Sequence, residues 1–202
     1  MKKKNNIKTF LVAVTTCVSI VVFGVALRYS FFYAPSGEIT LASGELQPNA
    51  NGNYPASLYP AHLRIPSIKV DSKIIDVGIT SKGNMATPSN FTDVGWFKYG
   101  TSPGETGSAV MAGHVNDGIN FPAVFANLNN VKVGDDVYVD TIGGSPIHFV
   151  VTNIQTYDFN APTEAIFNQN NGKFLKLITC AGVWMDQYKT HDKRLVVTAE
   201  LI

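Results

Sequence analysis

Residues 173–202 read KFLKLITCAGVWMDQYKTHDKRLVVTAELI. Two apolar runs rich in β-branched residues, KFLKLITC (173–180) and RLVVTAELI (194–202), flank a polar connection, the pattern of two strands that return on one another. Upstream the pattern recurs in PIHFVVTNIQTY (146–157), DDVYVDTI (135–142), GSAVMAGH (107–114), KIIDVGI (73–79) and HLRIPSI (62–68), with a further short strand near 84–87. Gly, Pro, Asn or Asp bounds each run, so residues 61–202 are expected to form an all-β barrel or sandwich of about eight strands. Helical turns fit PAVFANL (122–128) and PTEAIFNQ (162–169), each opened by a proline suited to a first helical turn.

The segment before residue 61 has a different chemistry. Lys2, Lys3, Lys4, Lys8 and Arg28 carry the charge of the first 28 residues, which hold no acid, while the rest of the chain has 11 Lys and Arg against 15 Asp and Glu. The basic charge is therefore N-terminal, and neither disorder of the whole chain nor a nucleic-acid-binding surface is indicated. Residues 9–27, TFLVAVTTCVSIVVFGVAL, are uncharged, and 19 residues of helix extend about 28 Å, close to the thickness of a hydrocarbon core. The expectation is a basic cytoplasmic tail at 1–8 and a single-pass signal anchor at 9–27, with everything beyond Arg28 outside the cell membrane. A cleaved signal peptide fits less well, because the apolar stretch is long and no small-x-small site follows it. Tyr29, Phe31, Phe32 and Tyr33 fit an aromatic belt at headgroup level, and residues 28–60, rich in Pro, Gly, Ser, Asn and Ala, read as a flexible stalk.

Cys17 falls within the expected span, which leaves Cys180 as the one cysteine of the outer part, without a disulfide partner in an oxidising compartment. It ends an apolar strand ahead of the small residues Ala181 and Gly182, and reads either as a nucleophile or as a buried structural thiol. A thiol nucleophile needs a partner that exchanges protons near neutral pH, which points to histidine. His62, His148 and His191 lie in strand or polar-loop contexts typical of surface histidines, whereas His114 closes an apolar strand at a Gly-His step. Acyl transfer also needs donors aimed at a developing oxyanion, and Arg194 opens the last expected strand. If the last two strands pair, Cys180 and Arg194 lie at the same end of the sheet.

At these residues the chain resembles the sortase family, most closely its class F members. The segments that carry the likeness are RIPSIKVDSKIIDVGI, VGWFKYGTSPGETGSAVMAGHV, VFANLNNVKVGDDVYV, LITCAG and KRLVVTAEL. The resemblance implies an eight-stranded sortase barrel at 61–202. It also implies Cys180 as the acylated nucleophile, His114 as the acid/base, Arg194 as the stabilising cation and Thr179 as a substrate-holding neighbour. It implies a transpeptidase that cuts an LPXTG-like sorting signal of a secreted protein and passes the acyl group to an amine of a cell-wall precursor or a pilin lysine. No cofactor is expected, and no metal, because Asp158 and Glu164 are too few to bind calcium. The rivals are a secreted cysteine hydrolase and a non-catalytic barrel that binds peptides at the cell surface.

Overall fold

The computed structural model describes residues 12–25, 38–39, 58–117 and 119–202. The expected basic tail, the ends of the expected anchor and most of the expected stalk lie outside the described residues. A helix, α1, runs over 12–25, and the hydroxyls of Thr16 and Ser19 donate to the carbonyls of Val12 and Thr15 one turn earlier, at 2.7 and 2.9 Å. Such back-bonding lets hydroxyls sit in an apolar helix. Among the described residues, no helix is long and apolar enough to cross a membrane.

Ten strands follow among the described residues: β1 (Glu38–Ile39), β2 (Pro60–Ile65), β3 (Val70–Val77), β4 (Met85–Ala86), β5 (Val94–Phe97), β6 (Gly107–Ala112), β7 (Asp136–Thr141), β8 (Ile147–Asp158), β9 (Lys173–Met185) and β10 (Thr190–Leu201). Eight close into a barrel in the order β10-β8-β7-β2-β3-β5-β6-β9, and β1 pairs with β4 outside it. The count of eight agrees with the sequence reading, but its membership differs. The short strand at 84–87 exists as β4 and stays outside the barrel, while β5, VGWF, supplies the eighth stave. All four β5 residues are buried, so the strand shows none of the alternation that marks a half-exposed strand.

Two apolar layers follow from the alternation of side chains along β9 and β10. Leu175, Leu177, Leu195 and Val197 point into the barrel with Trp96, Phe125 and Phe149. Ile178 and Val196 point outward and join Val77, Phe97, Val110 and Ala112 in a second cluster on the outer face of β5, β6, β9 and β10. This outer cluster is roofed by Met85, by Ile39, and by Ile166 from a one-turn helix, α2 (Glu164–Phe167). Covered on both faces, β6 is buried along its whole length.

The last hairpin is longer than the sequence suggested. Cys180 lies inside β9 rather than at its end, and Arg194 is the fifth residue of β10 rather than its first. The extra pairing is a ribbon beyond the barrel whose faces are open to solvent, with Val183 and Trp184 exposed, so its residues lack an apolar pattern. A register shift between His191 and Lys193, Gly182 at φ 78° and the Val183 N–H bonded to Asp192 Oδ1 at 2.6 Å form its bulge.

Candidate active site

Register brings the three singled-out residues to one level. In the antiparallel β9–β10 pair, Cys180 stands directly opposite Arg194. Directly opposed residues have Cβ atoms about 4.5–5.5 Å apart on one face, so thiol and guanidinium stem are neighbours on the outer face. On the other side β6 runs parallel to β9 with Ala112 beside Ile178, and the Gly113 N–H continues the ladder to Ile178 O at 3.1 Å. His114 thus follows Ala112 by the same two residues by which Cys180 follows Ile178. Thr179 fastens this join: its buried hydroxyl donates to Gly113 O at 2.8 Å.

Two glycines make the arrangement sterically possible. A Cβ on Gly113 would meet Phe125 and Val124 side-chain atoms at 2.6 and 2.7 Å, so only glycine lets the strand before His114 lie flat on the core. Gly182 has a left-handed φ, and a Cβ there would come within 2.0 Å of Asp192 Oδ1.

The His114 ring is fixed by its Nε2, 2.9 Å from Pro88 O, and by the edge of Phe91 at a centroid distance of 5.3 Å. A carbonyl only accepts, so Nε2 carries the proton of the neutral ring and Nδ1 is the basic nitrogen. Arg194 is held as firmly. Its Nη1 donates to His191 O at 3.0 Å and Lys193 O at 2.9 Å, and its Nη2 to Thr190 Oγ1 at 2.9 Å. Three of the five guanidinium donors are thus engaged, which orients the fork and leaves two for another acceptor.

Burial pushes the Cys180 thiol above its ordinary value, and the Arg194 charge and a bond with Thr190 offset this only in part. Burial also pushes His114 down, against the opposing effect of the Pro88 carbonyl. Both shifts favour the neutral pair, thiol and imidazole, over thiolate and imidazolium. The rate of Cys180 alkylation by iodoacetamide is therefore expected to keep rising above pH 8.5, the ordinary thiol value of about 8.5 being exceeded. A rate already level at pH 7, followed on the peptide bearing Cys180, would contradict a neutral resting pair.

The family profile described as the Sortase domain matches residues 63–202. The chain belongs to the sortase family. Among solved structures it is similar to sortase C-1 from Actinomyces oris, at 25% identity over 70% of this chain and 72% of that one, with a TM-score of 0.54. It is also similar to Streptococcus agalactiae sortase C1, at 27% identity over 70% of this chain and 66% of that one, with a TM-score of 0.55. The Listeria monocytogenes sortase A, 21% identical over 72% of this chain and 88% of that one, shares the fold at a TM-score of 0.54. No curated protein sequence matches the chain significantly. Membership makes the protein a cysteine transpeptidase and sets aside the non-catalytic barrel.

In this sortase Cys180 is flanked by two openings. A groove of about 50 Å³ holds Cys180, His114 and Arg194 together with Thr87 and Ile178. It continues past Arg194 into a small recess of about 10 Å³ walled by Tyr157, Pro162, Thr163 and Ile166. Ile39 lines both parts and is only 6% exposed, so β1 lies across the groove where they meet. On the other side of Cys180, a hollow of about 230 Å³ is bounded by Asn116, Asn129, Gly182 and His191.

The remaining histidines stand elsewhere or face away. His62 pairs with Asp71 at 2.8 Å, and His148 pairs with Asp136 at 2.7 Å and stacks on Tyr138. His191 borders the second hollow, its ring against Trp184. Asp158, weighed as a calcium ligand, is bonded to Lys193. Sequence reasoning missed Thr190, Pro88 and Ile39. The first two act through a hydroxyl and a carbonyl that no pattern distinguishes, and Ile39 is an isolated apolar residue in a stretch otherwise typical of a linker.

Proposed function

We propose that this sortase cleaves a sorting signal of the Leu-Pro-x-Thr-Gly kind between Thr and Gly and joins the acyl part to an amine. The observation that carries the reading is the alignment of His114, Cys180 and Arg194, one from each of three adjacent chain segments, along one groove. Cys180 Sγ attacks the threonine carbonyl and its proton passes to His114. The C–N bond then breaks as His114 gives that proton to the departing glycine nitrogen, leaving a thioester. The incoming amine attacks the thioester carbon, loses a proton through His114, and Cys180 leaves as the thiol. In both tetrahedral stages the two unengaged Arg194 donors face the negative oxygen. Thr179 holds the substrate indirectly, by fixing the His114 segment to β9.

The groove with its apolar recess suits the sorting signal, and the hollow beyond Cys180 suits the amine, so the two substrates reach opposite sides of the sulfur. Incubation with a sorting-motif peptide and a glycine or lysine amine tests the reading by product mass. The amide product is expected, whereas free acid alone would favour the hydrolase. The likeness to class F rests on motifs such as LITCAG and KRLVVTAEL, and the acceptor is either a cell-wall precursor or a pilin lysine.

The uncharged stretch at 9–27 supports a membrane anchor that presents the barrel outside the cell. The full-length chain is expected to fractionate with membranes, and a chain starting at Ala56 to be soluble and active. The shorter chain also lacks β1, so its KM for the peptide is expected to be lower because Ile39 no longer fills the groove. A higher KM would show that β1 helps to build the site.

A further inference from the structure

We propose that Lys176 is a positioning residue for peptide binding, acting through Gln169 on the wall of the groove; the proposal rests on the sorting-signal reading above. Lys176, Ile178 and Cys180 alternate along β9 and so share its outer face. Lys176 is 5% exposed in an otherwise apolar layer, where an ammonium is costly unless fully paired. Its Nζ donates to Gln169 Oε1 at 2.7 Å and Thr198 Oγ1 at 3.1 Å and lies 5.3 Å from the centre of the Phe174 ring.

Gln169 is gripped a second time, by the buried Ser108 hydroxyl, which donates to its main-chain carbonyl at 3.1 Å. Side chains from β6 and β9 therefore converge on Gln169, and Thr198 of β10 holds Lys176. Gln169 closes the segment that leaves β8 and carries α2, whose Ile166 forms the apolar wall beside Ile178. The other end of that segment has its own fastening, the Phe159 N–H to Asp192 O at 2.9 Å. At the far end the node at Lys176 fixes the Gln169 side chain, beside the Gly107 N–H that donates to Gly172 O at 2.8 Å.

Its place along the strand matches the proposed substrate. At about 3.3 Å per residue, Lys176 stands about 13 Å from Cys180 along β9, the length of four extended residues. A four-residue motif whose last carbonyl is at the sulfur thus reaches its first residue near this node. An apolar side chain between Phe174 and Ile178 would pack more simply. The ammonium instead specifies a single placement of Gln169, the kind of selectivity a buried polar group supplies at a cost in stability.

The test is steady-state kinetics of the full-length chain with a sorting-motif peptide and an amine, joined to hydrogen exchange of the α2 amides. Lys176→Met and Gln169→Ala are each expected to raise KM about tenfold with kcat changed less than about twofold. Combined, they are expected to cost no more than either alone, because one interaction is removed twice. Gln169→Glu, which keeps an acceptor for the ammonium, is expected to retain the wild-type KM. The amides of Ile166, Phe167 and Asn168, bonded within the turn, are expected to exchange faster in Lys176→Met and Gln169→Ala but not in Gln169→Glu. Unchanged KM and unchanged exchange in Gln169→Ala overturn the proposal, and so do additive losses. Gln169 is partly exposed, so its variants test the node even if Lys176→Met does not fold. The exchange arm needs no turnover, so it separates a failed clamp from a failed sorting-signal reading.

Discussion

Cys180→Ala is expected to lower transpeptidation by several orders of magnitude while the barrel stays folded. The other free thiol among the described residues, Cys17, lies in α1 and outside the groove, and loss of a covalent nucleophile removes the acyl-enzyme route entirely. The structural cost is small because the side chain lies on the outer face of β9 at a groove, outside the barrel interior. Losing one sulfur there removes about 1 kcal/mol of burial, which corresponds to a fall in Tm of no more than about 5 °C. Turnover and a thermal melt measured on the same preparation check both halves. A folded Cys180→Ala protein that still forms amide product would remove the nucleophile from the account.

The second large effect is expected at Arg194, where Ala should lower kcat/KM by a factor of about a hundred or more, the scale of a lost oxyanion donor. Arg194→Lys should recover little of it. A lysine keeps the charge, but it has no planar fork to meet Thr190 Oγ1, His191 O and Lys193 O while aiming donors at the groove. Arg194→Ala should also raise the Cys180 pKa further, since the guanidinium is the larger of the two influences holding it down. A kinetic loss with an unchanged pH profile of Cys180 alkylation would mean that Arg194 acts on the transition state alone. His114→Ala is expected to cost a similar factor of about a hundred, as the lost proton carrier. If His191→Ala had that effect and His114→Ala did not, the histidine on the amine side would be the acid/base.

The barrel was legible because strands such as β3 and β7 are half-buried and alternate, while KFLKLITC and RLVVTAELI, buried on both faces, show as long apolar runs between polar bounds. The failures share one physical cause. VGWF is buried on both faces and the ribbon around Trp184 is open on both, so neither carries a period of two. Reading the last two strands as ending near Cys180 and Arg194 was therefore wrong about their bounds but right that the two residues meet. Their pairing depends on the offset between the runs, which the ribbon preserves. His114 was singled out from a Gly-His step, and the reason for the step, a Cβ clash with Phe125 and Val124, is visible only in three dimensions. The place of Ile39 in the wall of the groove and the node at Lys176 lay beyond a linear reading. One depends on a two-residue strand far from the site in sequence, and the other looks like an ordinary outward lysine in an apolar run.

The central claim is that Cys180 becomes acylated by a peptide held in the groove beside His114 and Arg194. Its most direct test is intact-mass spectrometry of the full-length chain mixed with sorting-motif peptides and no added amine. The predicted result is an adduct equal to the peptide portion up to its threonine, mapped to Cys180, released by hydroxylamine and absent in Cys180→Ala. Peptide cleavage with no such adduct, or with the adduct on another residue, would contradict it.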